Sequence, residues 1–293
     1  MNNQIPSGHK RSRRDFVRET TTLAAAAAAT PLAISRTAHA AGSGLVKIGL
    51  IGCGGRGSGA AVNAMNAGKD IHLVAMGDLF ADNAQKSLQN LRVAKPNQVM
   101  VDNDHLFDGF HAYQQVLASD IDVVLIATAS RFHPQILQAA IDAGKHVFIE
   151  KPHSLDVPGL SVVEAACEDA NDKGLAVVSG LCWRYDPAVR ETMKRVQDGA
   201  IGDIVAIEET YLRGPYRLNV ERDPQWTELQ WQLRNWYHFC WLAGDDILQS
   251  LIHNLDKASW ALDEQPPVSA FGLGGRSSFV EDKHGDQFDN FSV

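Results

Sequence analysis

The chain is poor in cysteine: Cys53, Cys167, Cys182 and Cys240 are the only four in 293 residues. No two of them make a CxxC pair and none has zinc-ligand spacing, so reduced and partly buried thiols are expected. The apolar stretch Leu23 to Ile34, which includes the alanines Ala24 to Ala29, falls short of the roughly 20 residues that span a bilayer. Positive charge is scarce outside the first 40 residues. That segment carries six Lys/Arg against two Asp/Glu, a net of +4, while the whole chain is −8, leaving −12 on the remainder. Such an acidic body excludes nucleic acid as a partner, because phosphate affinity needs clustered Lys and Arg. Internal repeats are absent, and the alanine run is the one low-complexity stretch. Ordinary apolar and charged content, 45% and 21%, excludes a fibrous or disordered chain, and the length allows two domains.

The basic N-terminus reads as an address. Ser12-Arg13-Arg14-Asp15-Phe16 precedes the alanine-rich run, and Ala38-His39-Ala40 supplies the small residues read by a signal peptidase. The segment resembles a twin-arginine export signal. That resemblance implies the twin-arginine machinery as a partner, cleavage near Ala40, and a periplasmic or secreted protein that folds, and can load a cofactor, before export.

After this segment the chain alternates between strand and helix patterns. Leu45–Ile51 is short, apolar and branched, as a buried strand should be. Gly52-Cys53-Gly54-Gly55-Arg56-Gly57 follows at once, and Ser58–Ala67 reads as a helix. A lone GxGxxG is weak evidence, but between strand and helix it has a mechanism. Gly52 permits the turn, Gly54 lets backbone approach a pyrophosphate, and Gly57 lets helix and strand pack closely. Gly55 and Arg56 lie in the same turn, Arg56 solvated or near the pyrophosphate. The helix N-terminus then offers free N–H groups to the phosphates. A second strand, Ile71–Met76, runs into Asp78, 21 residues beyond Gly57. An acid there accepts ribose hydroxyls of NAD and repels the extra phosphate of NADP, so NAD is the expected cofactor. Strands at Asp122–Thr128 and Lys145–Ile149, with a helix at Pro134–Ala143 between them, complete a parallel α/β pattern of Rossmann type. Ligands bind at the carboxyl ends of such strands, which brings forward Thr128, His133 and the run Glu150-Lys151-Pro152.

The Gly-rich loop, Asp78 and Glu150-Lys151-Pro152 together resemble the Gfo/Idh/MocA oxidoreductases, over about residues 45 to 293. A residue before proline is driven into an extended conformation, which would project Lys151 into the crevice. The resemblance implies a doubly wound Rossmann sheet followed by an α+β domain with an open, largely antiparallel sheet. It also implies that Lys151 touches the reacting hydroxyl, that Glu150 and His133 lie near the cofactor, and that His253 is the second catalytic residue. The family places Asp four residues before that His. This chain has Gln249 there, which cannot exchange a proton as a carboxylate does. Asp256 then becomes a possible orienting partner on the same helix, expected to start near Asp245. Arg184, Tyr185, Trp236 and Tyr237 are the remaining substrate candidates. Trp226, Trp231, Trp236 and Trp241 are five apart and cannot form one helical stripe, so some belong to the core.

The expected organisation is a signal peptide over 1–40, a nucleotide domain over 44–165 joined by a helix at Val163–Lys173, and a substrate and oligomerisation domain over 166–293. Strands are expected at Leu175–Leu181, where the second domain begins, and at Asp203–Leu212 and Val268–Leu273. The last residues read as an unfinished strand, which suggests a fragment of a longer protein. The expected activity is NAD(P)-dependent hydride transfer from a secondary hydroxyl of a sugar, glycoside or cyclitol, in a homo-oligomer built through the second-domain sheet. An NAD-dependent glycosidase or lyase using transient oxidation is the alternative, and a non-catalytic dinucleotide-binding module a further one. His253 and Asp256 lack a third ligand, so no metal is expected.

Overall fold

The computed structural model describes residues 44–214, 216, 220–278 and 280–293, so the export signal expected over residues 1–40 lies outside the described residues. From β1 (Val46–Ile51) the chain passes through α1 (Gly55–Asn66) to β2 (Ile71–Asp78), then through α2 (Ala81–Ala94) to β3 (Leu106–Asp108). Helix α3 (Ala112–Ala118) returns it to β4 (Val123–Ile126), followed by α4 (His133–Asp142), β5 (His146–Ile149), α5 (Val157–Asp172) and β6 (Val177–Ser179). Among the described residues these six strands form one parallel sheet in the order β3-β2-β1-β4-β5-β6. The order reverses between β1 and β4, and that reversal opens a crevice at the carboxyl ends of the strands.

Each sheet face has its own core. Leu50, Leu73 and Met76 pack under α1 and α2 through Ala61, Met65 and Leu88. Ile51, Val124 and Ile126 pack under α3, α4 and α5 through Val116, Leu137, Ile141 and Ala166. Burial on both faces explains why these strands read as nearly continuous apolar runs.

Residues 45–293 form one unit in the structure, and the expected second domain needs correcting in two places. The strand within Leu175–Leu181 does not open a new domain. It is β6, paired in parallel with β5 by Val147 with Val177 and Ile149 with Ser179, because α5 carries the chain back to the same sheet. The strand expected over Asp203–Leu212 does not form. Val205 is 95% exposed and Leu212 92%, and a pleated segment without a neighbour to complete its hydrogen bonds has nothing to hold it. Val268–Leu273 shifts to a short β7 (Leu273–Gly275), antiparallel to β8 (Asn290–Ser292).

Helix α6 (Pro187–Gln197) follows β6. Helix α7 (Glu228–Arg234) starts from a capping box, Thr227 Oγ1 accepting from Gln230 N–H while Gln230 Oε1 accepts from Thr227 N–H. After α8 (Cys240–Ala243), a π-helical turn at Ile247–Leu251 leads into α9 (Ile252–Ala261). A third apolar cluster joins this half to the crevice. Trp231, Leu233, Phe239 and Leu242 pack with Leu79 and Phe80 after β2 and with Ala129 and Phe132 after β4. The tryptophans divide as their spacing requires: Trp231 is buried, Trp226 and Trp236 flank the cluster, and Trp241 is 43% exposed. All four cysteines are unpaired. Among the described residues no helix is long and apolar enough to cross a membrane.

The β1–α1 junction tolerates no side chain at position 57, where a Cβ would stand 1.9 Å from the Gly52 carbonyl oxygen. Gly57→Ala must therefore push α1 away from the sheet, and a loss of about 1–3 kcal/mol in unfolding free energy is expected by chemical denaturation. An unchanged midpoint would show that the junction is loose.

Candidate active site

The glycine turn at the end of β1 is built by two constraints. Gly52 has φ +91°, and a Cβ there would meet the Ala127 carbonyl oxygen at 2.5 Å. Around Gly54, in contrast, a Cβ would find no atom within 4 Å, and no side chain caps the first turn of α1. The helix therefore presents its first N–H groups to an open seat, the requirement for holding a diphosphate. Asp78, at the end of β2, is tied to the same turn. Its Oδ2 accepts from Cys53 N–H at 2.7 Å and its Oδ1 from Phe80 N–H at 2.9 Å. Burial raises its carboxyl above the ordinary value, with these two N–H groups opposing the rise.

Turn and acid open into one cavity of about 380 Å³, whose lining includes Gly52, Gly54, Asp78, Thr128, Arg234 and Trp236. The residues present thus fit a dinucleotide: an open cradle, an uncapped helix end and an acid at the far side. Arg56 turns from this seat. Its Nε donates to Glu150 Oε1 at 2.5 Å, so it neutralises the buried acid of the Glu-Lys-Pro run. Gly55, like Gly54, faces open space. His133 is buried at the start of α4 between two carbonyls, Nδ1 at 2.7 Å from Pro152 O and Nε2 at 3.1 Å from Thr128 O. The neutral ring has one N–H, which from Nδ1 donates to Pro152 O and ties the loop after β4 to the loop after β5.

Beyond β5, Lys151 Nζ donates to the Gln249 carbonyl oxygen at 2.6 Å, across 98 residues of sequence. The acceptor lies in the π-helical turn that leads into α9, and π turns are frequent at functional sites. Burial lowers the Lys151 ammonium from its ordinary range, with Glu150 partly opposing. His253 follows on α9. Its Nδ1 is buried without a hydrogen-bond partner, and its imidazole is lowered first by burial and then by the Lys151 charge. The Gln249 side chain is structural: buried, it donates from Nε2 to Ala243 O at 2.6 Å and to Ser130 Oγ at 3.0 Å. Lys151 and His253 thus share a neighbourhood, outside the lining of the 380 Å³ cavity.

Two further candidates are spent on each other. Arg184 Nε and Nη2 donate to Asp256 Oδ1 at 2.9 and 2.7 Å, and Nη1 donates to Glu264 at 2.6 Å. Asp256 therefore anchors Arg184, and its charge also acts on His253, opposing the effect of burial. Tyr185 is exposed and joins neither group. Trp236 and Tyr237 do stand together, stacked at 3.8 Å, and Tyr237 stacks in turn on Tyr216 at 4.3 Å.

That stack leads to residues the sequence reading missed. Tyr216 shares a hydrogen bond with Ser250 Oγ at 2.8 Å, Ser250 Oγ donates to Asp246 Oδ1 at 2.7 Å, and Arg213 Nε donates to the same Asp246 oxygen at 3.0 Å. The Arg213 and Asp246 charges both act on Lys151, in opposite directions. Asp246 and Ser250 are four apart at the start of an expected helix, so their shared face was a usable signal. Arg213 and Tyr216 gave none.

Residues 46–179 match the family model described as oxidoreductase family, NAD-binding Rossmann fold, GFO_IDH_MocA. This stretch, β1 to β6, is therefore similar to the NAD-binding Rossmann domains of that family. An inositol 2-dehydrogenase of Rhizobium meliloti is 28% identical over 221 residues, 75% of this chain and 56% of its own length. A glycosyl hydrolase family 109 protein of Shewanella amazonensis is 25% identical over 306 aligned positions, 96% of this chain and 57% of its own. The chain thus spans little more than half the length of these relatives. A crystal structure of a protein from gentamicin A biosynthesis in complex with NAD superposes with a TM-score of 0.60 at 17% identity, over 84% of this chain and 61% of that one, which establishes the shared fold.

Burial pushes the His133 imidazole from its ordinary 6.5 down to about 4, outweighing the two carbonyls that favour its charged form. Between those values the unfolded chain binds a proton that the folded chain refuses. The contribution is complete above 6.5 and is lost as pH falls toward 4, amounting to at most about 3 kcal/mol. Denaturation midpoints of the parent should therefore fall across that window more steeply than those of His133→Gln. Parallel slopes would contradict this account of His133.

Proposed function

We propose that the protein is an NAD-dependent oxidoreductase that removes hydride from a secondary hydroxyl-bearing carbon of a sugar, glycoside or cyclitol. The observation that carries this reading is the Lys151 amine, desolvated and held on the Gln249 carbonyl, with His253 four residues further along the same helical segment. NAD, when bound, supplies nicotinamide as the hydride acceptor. His253, lowered by burial, is neutral near pH 7 and takes the hydroxyl proton, while Lys151 donates a hydrogen bond to the oxygen as its charge develops. Gln249 has both amide hydrogens committed elsewhere, so the proton falls to His253. Asp78 favours NAD over NADP. Trp236 and Tyr237 offer an aromatic face to the ring of the substrate. Export through the twin-arginine route, supported by the Arg13-Arg14 motif, and a homo-oligomer through the β7–β8 sheet, which leaves Leu273 exposed, complete the reading.

A second reading is supported by the match over 96% of this chain to the glycosyl hydrolase family 109 protein. There the oxidation is transient and the cofactor returns to its starting state within each turnover. Lys151→Ala is expected to lower turnover by about 10²- to 10⁴-fold while NAD affinity stays unchanged. Undiminished turnover in this variant would remove Lys151 from the chemistry. Steady accumulation of NADH with a free cyclitol or sugar supports the dehydrogenase, and glycoside cleavage without net NADH supports the second reading.

A further inference from the structure

Helix α7 places an arginine at the nucleotide end of the crevice, far from the glycine turn in sequence. Arg234 lines the same cavity as Asp78. Its guanidinium carbon lies 3.9 Å over the ring of Phe80, the residue whose N–H holds Asp78 Oδ1, and 4.8 Å over Trp226. A guanidinium beside the acid that ends β2 is the group that would welcome a 2′-phosphate on the ribose. Here it is already engaged. Arg234 Nη1 donates to Asp82 Oδ2 and Nη2 to Asp82 Oδ1, both at 3.0 Å, the two-pronged match of guanidinium and carboxylate. Asp82 sits in the first turn of α2, four residues after Asp78. The ribose end therefore carries two carboxylates, Asp78 and Asp82, against this one guanidinium.

We propose that Asp82 is a cofactor-specificity residue: by holding Arg234 in a bidentate pair, it withholds from NADP the cation that its extra phosphate needs. The proposal rests on the reading of this crevice as the NAD site. Asp78 repels the phosphate directly, and Asp82 does so through Arg234, a residue 152 positions away that sequence distance hides. The side chain of Asp82 is 66% exposed, so its replacement leaves the packing around α2 in place, whereas Arg234 is only 16% exposed between its two rings.

The test is equilibrium titration of the full chain with NAD and with NADP, followed by calorimetry. Asp82→Asn is expected to tighten NADP about tenfold, the worth of a regained charged hydrogen bond, and to leave NAD affinity unchanged. Adding Arg234→Gln to that variant should return NADP to the parent's affinity. Asp82→Ser repeats the test with a residue suited to a helix start, and denaturation midpoints verify that each variant is folded. NADP affinity unchanged in both Asp82 variants, or a gain that survives Arg234→Gln, overturns the proposal. If the parent binds neither nucleotide, the cofactor reading fails and takes this inference with it. If the parent binds NAD and the Asp82 variants gain nothing for NADP, the inference alone fails.

Discussion

Where β1 hands over to α1, backbone packs against backbone so closely that position 57 has no room for a single carbon beyond its Cα. Everything at the nucleotide end follows from that contact. It brings the first turn of α1 against the strand ends and leaves that turn without a side-chain cap. It puts Cys53 N–H within reach of Asp78, so the acid that ends β2 is fixed by the same turn it faces. The electrostatics are therefore set before any ligand arrives: helix N–H groups on one side, a desolvated carboxyl on the other, and an open space around Gly54 between them.

The reacting end depends on long-range ties. The Lys151 bond to Gln249 O fastens the end of β5 to the turn that introduces α9, and His133 Nδ1 ties the loop after β4 to Pro152 O. At the opposite end, Arg234 and the third apolar cluster fasten α7 to the loops after β2 and β4. Both halves of the chain thus bear on one crevice. Burial dominates the titration of Lys151, His253 and His133 alike, lowering each.

Much of the nucleotide half was legible in the sequence because its signals are local. Short branched runs bounded by glycine gave β1, β2, β4 and β5 to within two residues, and the glycine spacing placed the turn and Asp78. The second half was less legible because its structure depends on partners distant in sequence. Val177–Ser179 has the same pattern whether it closes one sheet or opens another, and only pairing with β5 decides. Ile204 to Ile207 is strand-like in composition, yet no neighbouring strand accepts it. Among the candidate site residues, the glycines and Lys151 stand out in the sequence because of what proline and strand ends impose locally. Nothing along the chain announces that Arg184 and Asp256, 72 residues apart, will pair with each other. Arg213 and Tyr216 were missed for the same reason.

The seat around Gly54 is the centre of this account, and a side chain can be put into it without disturbing the fold. Position 54 has φ −69° and ψ −176°, extended geometry that valine adopts freely, and a Cβ there meets no atom within 4 Å. NAD titration of Gly54→Val beside the parent is the direct measurement. The account predicts a folded protein whose stability falls by no more than the cost of a poorer N-cap, about 1 kcal/mol, and a loss of NAD affinity of about a hundredfold or more, as expected when a diphosphate is denied several N–H contacts. A folded Gly54→Val protein that binds NAD as tightly as the parent would contradict it.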